Sequence, residues 1–231
     1  MKTNIKKHQD WRFSAVSFFL FCFLFVSGCE RQEKVASADR EAETPVYEGV
    51  IIAVGDSLTA GYGVAEQDAY PALLERKLKQ NGYNFQVINA GISGETSSGA
   101  LSRIGWIIAQ QPDIVILETG ANDGLRGIPP QVIYENIGKT VQLLKEGGVK
   151  VVLAGMQMLQ NLGPVYTGEF ADIYPKVARE QDIILVPFFL QEVAGSPPHN
   201  QADAIHPTAA GHRIIVETVY PYVLQAIQAR R

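Results

Sequence analysis

"VGDSLTAGYG", Val54 to Gly63, follows the apolar run Gly49–Ala53, and its reading decides how the rest of the chain is understood. A β-rich run that stops at Gly55, Asp56 and Ser57 and passes into more glycines is a strand ending in a tight polar turn. The same pattern recurs along the chain. Apolar runs begin at Gly49 ("GVIIAV"), Phe85 ("FQVIN"), Asp113 ("DIVILET"), Lys150 ("KVVLAG") and Ile183 ("IILVPF"). Helical patterns fill the intervals near residues 67–81, 97–110, 130–146 and 166–181, and a long one covers 208–228. Strands that are apolar throughout are buried on both faces. Strict alternation of strand and helix implies parallel strands joined by right-handed crossovers.

The expected fold is therefore a three-layer α/β/α domain with a flavodoxin-like, five-stranded parallel sheet. In such a sheet ligands bind beyond the carboxyl ends of the strands, so the polar residues that follow each strand are the candidates for chemistry. After the first strand come Gly55, Asp56 and Ser57; after the second, Asn89, Ala90, Gly91 and Ser93; after the third, Gly120, Asn122 and Asp123. Asp203 and His206 stand after the fifth, before the last helix. All of these converge on one edge.

A serine hydroxyl is a weak nucleophile and needs a base, usually a histidine oriented by a carboxylate. His8 lies in the N-terminal leader, which leaves His199, His206 and His212. His206 sits in "DAIHPTAAGH" ahead of the final helix, where Thr208 is placed to cap. Asp203, three residues earlier on the same loop, can hold the far imidazole nitrogen. His212 falls inside the helix and reads as structural; His199, in "SPPHN", reads as exposed. An oxyanion needs donors, which the amide of Gly91, the side chain of Asn122 and the amide of Ser57 could supply. Asp56 reads as a turn-stabilising acceptor.

Ser57 in "GDSLTAG", Gly91, Asn122 in "GAND" and the DxxH of Asp203 and His206 resemble, in order and spacing, the four blocks of the SGNH hydrolases, also called GDSL esterases. The resemblance runs from Val50 to about Val223. "GANDGLRG" and the stretch Tyr174–Phe189 are most similar to the branch of multifunctional thioesterases, lysophospholipases and arylesterases. It implies Ser57 as nucleophile, His206 as base, Asp203 as its orienting carboxylate, and an oxyanion hole from Ser57, Gly91 and Asn122. It implies a small-molecule acyl ester or thioester substrate, with no cofactor and no metal. Two rivals stand beside it: a carbohydrate O-deacetylase of the same fold, and a non-catalytic flavodoxin-like binding lipoprotein whose glycine turns cradle phosphate. Apolar residues in "GLRGIPP" (124–130) and "MQMLQNLGPVY" (156–166) lean towards acyl chains.

The N-terminus carries a separate message. Lys2, Lys6, Lys7 and Arg12 precede the uncharged run Phe13–Val26, which is shorter than the roughly 20 residues of a membrane-spanning helix and fits a signal-peptide core. The run ends in "VSGC", Val26–Cys29, which resembles a bacterial lipobox. The expected organisation is a lipoprotein signal peptide over 1–28, lipidated Cys29 with a flexible tether to residue 46, and the catalytic domain over 47–231. Glu30 after the cysteine favours the outer membrane in a Gram-negative cell, so the expected location is extracytoplasmic and lipid-anchored. Cys22 would be excised and Cys29 acylated, which leaves the mature domain no thiol for a disulfide, a zinc site or nucleophilic attack. The whole chain carries a formal charge of −4. Loss of the basic leader makes it more acidic, a poor match to nucleic acid. The chain is expected to act as a monomer.

Overall fold

Ile51–Val54 and Ile114–Leu117 have no exposed surface, which requires a neighbour on both edges and a covering layer on both faces. The structure, a computed structural model, describes residues 46–230. The expected leader, Cys29 and all of the tether but Val46 lie outside the described residues. The two buried runs are β1 (Gly49–Gly55) and β3 (Ile114–Glu118). With β2 (Phe85–Gly91), β4 (Lys150–Ala154) and β5 (Ile184–Val186) they form a five-stranded sheet ordered β2-β1-β3-β4-β5, every pair parallel. This is the expected α/β architecture. The chain reverses direction across the sheet between β2 and β3, so a crevice opens above the ends of β1 and β3.

Among the described residues seven α-helices accompany the sheet: α1 (Ser57–Ala60), α2 (Tyr70–Gln80), α3 (Ser97–Ala109), α4 (Ala121–Leu125), α5 (Pro130–Glu146), α6 (Pro164–Gln181) and α7 (Ala209–Gln228). α2 packs on α7, and α3, α5 and α6 pack in succession, the two rows that right-handed crossovers place on opposite faces. Thr208 caps α7 as expected, its hydroxyl accepting the Gly211 N–H at 3.3 Å. Three details differ from expectation. β5 stops at Val186; beyond it the next bond to β4 runs from the Phe189 N–H to the Gly155 carbonyl at 2.8 Å, out of the regular ladder. The short α1 and α4 stand where no helix is expected from the sequence; one turn of helix is too brief to show a 3.6-residue period. His199 is half-buried rather than exposed, its Nδ1 3.0 Å from Ser196 Oγ in a 3₁₀ turn over Pro197–His199.

His212 is structural, and the structure shows how. It is fully buried in α7 and its Nδ1 accepts the Tyr70 N–H at 3.2 Å. That N–H opens α2, whose N-cap Ala69 has no side chain to do so. Burial pulls the imidazole down from 6.5 to about 4. The unfolded chain therefore binds this proton more readily, so the contribution is present above 6.5 and is lost as pH falls towards 4. Thermal unfolding across that window should show a fall in Tm for the wild type that His212→Gln largely removes. Equal slopes in the two proteins would contradict this.

Candidate active site

Each element end delivers one group to the crevice. β1 stops at Gly55, and Asp56 caps α1 by accepting the Leu58 N–H at 2.9 Å. Gly61, at φ 81°, closes the helix one turn later with its N–H on the Ser57 carbonyl. Ser57 is thus the first residue of a one-turn helix, where the backbone N–H has no intrahelical acceptor. The serine hydroxyl faces His206 across the crevice.

The loop between β5 and α7 is shaped by an antiparallel bridge between Asn200 and Pro207 and by the Gln201 N–H on the His206 carbonyl at 2.8 Å. Within it Asp203 Oδ1 accepts the N–H groups of Ile205 and His206, both at 3.1 Å. Its Oδ2 lies 2.7 Å from His206 Nδ1, and His206 Nε2 lies 2.9 Å from Ser57 Oγ. With Nδ1–H donated to the carboxylate, Nε2 is left as the acceptor for the serine proton. The bond from His206, with the two backbone N–H donors, holds the Asp203 carboxyl down at about 2. It therefore stays ionised at neutral and mildly acidic pH. Tyr62 tilts over the other side of the imidazole, ring centroids 4.6 Å apart.

Asn122 enters from α4. Gly120 turns the chain there at φ 104°, and Asn122 Nδ2 donates to Asp56 Oδ2 at 2.8 Å. An amide NH₂ has two hydrogens, so one remains for a ligand. The next residue, Asp123, ties α4 to α3: its oxygens accept the Ser97 N–H at 2.7 Å and the Ser97 hydroxyl at 2.6 Å. Gly91 stands differently from expectation. Its N–H is donated to Asn89 Oδ1 at 3.0 Å, and a Cβ on it would run into the backbone of Ala60. What its small size provides here is the close approach of β2 to α1; its amide is engaged. Three residues on, Gly94 sits at φ 79° with its carbonyl held by Arg126 at 3.0 Å. Its N–H has no acceptor among the described residues.

A cleft of about 170 Å³ opens beside Ser57 and His206. Its walls are mainly apolar, with Leu58, Leu125, Met156, Met158, Phe188 and Ile205 among them. Two of the four segments that build it are those singled out in the sequence, after β3 and after β4. Among the described residues no group of three or more His, Cys, Asp or Glu side chains could hold a metal ion.

The GDSL-like Lipase/Acylhydrolase family model matches residues 53–214, which span every group just described. The chain belongs to that family. It is an α/β carboxylic ester hydrolase of the GDSL (SGNH) type. Similar proteins include an arylesterase of Vibrio mimicus, 41% identical over 170 residues, 73% of this chain and 85% of the relative. Another is the thioesterase 1/protease 1/lysophospholipase L1 of Escherichia coli strain K12, 38% identical over 168 residues, 72% of this chain and 79% of the relative. Among solved structures, a crystal structure of TesA superposes with a TM-score of 0.75 at 39% identity, covering 77% of this chain and 99% of that one. Membership of this family sets aside the phosphate-cradling rival, which also gives no reason for a serine hydroxyl 2.9 Å from an imidazole that a carboxylate orients.

Proposed function

We propose that the protein cleaves small and medium acyl esters and thioesters through an acyl-enzyme on Ser57, with His206 as general base and Asp203 as its orienting group. The observation that carries this is the continuous hydrogen-bonded line from Ser57 Oγ to His206 to Asp203. His206 Nε2 takes the serine proton as Oγ bonds to the acyl carbon. The tetrahedral oxyanion is met by the Ser57 N–H and the free hydrogen of Asn122 Nδ2. The imidazolium then gives its proton to the leaving alcohol or thiol. A water, deprotonated by the same nitrogen, attacks the acyl group and releases the acid. Gly91 can join the oxyanion donors only in a state where its N–H has left Asn89.

The acyl preference is supported by the apolar cleft walls and by relatives named for arylesters, thioesters and lysophospholipids. A hydrolysis panel of acetyl, butyryl, octanoyl and palmitoyl esters, their thioesters and acetylated xylan tests it. The expected maximum lies among the butyryl and octanoyl substrates. A maximum on acetylated xylan would make the protein a carbohydrate deacetylase instead.

The same reading places the enzyme on a bacterial membrane as a monomer, anchored through acylated Cys29 by the tether 30–46, with the outer membrane favoured in a Gram-negative cell. The support is the "VSGC" pattern behind an uncharged run. The mature protein should take up labelled palmitate and enter the detergent phase, since several acyl chains together anchor stably where one does not. Cys29→Ser should lose the label; a variant that kept it would move the anchor elsewhere.

A further inference from the structure

Beneath the Ser57 turn lies a second carboxyl that the chemistry above leaves unused. Glu118 is the last residue of β3, fully buried, four positions before Asn122. Among the described residues it is in no ion pair. A carboxyl withdrawn from water without a cation is costly unless it is bonded, and its bonds go to the two residues that bracket the serine. Glu118 Oε2 accepts the Asp56 N–H at 3.1 Å and the Thr59 hydroxyl at 3.0 Å. The carboxyl occupies the space that a side chain at Gly55 would need: a Cβ there would run into both Glu118 Oε2 and Thr59 Oγ1. Asp56 in turn accepts the Leu58 N–H on one oxygen and Asn122 Nδ2 on the other.

Resting on the reading of Ser57 as nucleophile and Asn122 as oxyanion donor, we propose that Glu118 is a positioning residue for ester hydrolysis. Its carboxyl clamps the turn on both sides of Ser57 and, through Asp56, holds the Asn122 amide in register with it. Its setting favours the uncharged acid. The titratable groups that face it are Asp56 from the β1–α1 turn, Tyr70 from α2 and Tyr174 from α6, and none of these is a cation. Two neighbouring carboxyls in such a place do not both ionise. Asp56 has an N–H donor on each oxygen and keeps the charge, although burial raises it too. Burial first, and the charge of Asp56 second, push Glu118 well above the usual carboxylate range.

The test compares Glu118→Ala, Glu118→Gln and Thr59→Val by steady-state kinetics on a water-soluble ester. Thermal unfolding is measured alongside, and reactive sites are counted with a fluorophosphonate. Glu118→Ala is expected to lose about 10²-fold in kcat per titrated site with KM little changed, the scale of a small misplacement of reacting groups. Glu118→Gln, uncharged and still an acceptor, should recover to within about threefold of wild type, and Thr59→Val, lacking one clamp, should fall by about tenfold. A Glu118→Ala enzyme with a lowered Tm but wild-type kcat per titrated site would make the residue structural only. Glu118→Gln as poor as Glu118→Ala would show that the clamp is not what matters. Should Glu118→Ala fail to fold, Thr59→Val with unchanged kcat overturns the proposal by itself. Ser57→Ala run in parallel separates the two levels: residual turnover there would remove the nucleophile reading, whatever the Glu118 variants do.

Discussion

Ser57→Ala and His206→Ala are each expected to lower ester turnover by about 10⁴-fold or more, and the double variant to be little worse than either, because residues that act as one unit are not additive. The geometry states why. Ser57 Oγ has a base 2.9 Å away, and attack needs both the hydroxyl and the group that takes its proton. Removal of either leaves the oxyanion donors and the cleft, which alone retain a modest advantage over water. Steady-state assays on a chromogenic ester, with the protein purified from a host freed of background esterases, decide the matter. A Ser57→Ala enzyme that kept a tenth of wild-type turnover would mean that another group attacks the acyl carbon.

Asn122→Ala is expected to cost about 10² to 10³-fold in kcat with KM changed far less, since its donor serves charge that is present mainly in the transition state. The side chain is held for that task, with one hydrogen fixed on Asp56 Oδ2 at 2.8 Å and the other free. The neighbouring Asp123 anchors α4 through Ser97, so loss of the Asn122 amide leaves its backbone in place. An effect confined to KM would make Asn122 a substrate-binding residue.

What was legible in the sequence follows from what repeats or alternates. The continuous apolar runs gave β1, β3 and β4, because strands with neighbours on both edges exclude polar residues along their length. A serine, an asparagine and a DxxH pair at successive strand ends could be placed on one edge, since the topology leaves them nowhere else. The rest depends on single contacts that no period encodes. α1 and α4 are too short to show a helical pattern, yet they carry Ser57 and Asn122. The amide of Gly91 is engaged by a side chain two residues away, which spacing alone does not reveal. Glu118 read as the tail of "DIVILET"; the available signal was an acid at the carboxyl end of a central strand, where burial is complete on both faces.

The most direct measurement of the central claim is a fluorophosphonate adduct mapped by mass spectrometry. Such a reagent bonds covalently to an activated serine and mimics the tetrahedral intermediate. Expected is one adduct per chain on the peptide that contains Ser57, formed far more slowly in His206→Ala, with turnover lost in proportion to labelling. An adduct on any other residue, or labelling of Ser57→Ala at the wild-type rate, would contradict the assignment of Ser57 and His206 as nucleophile and base.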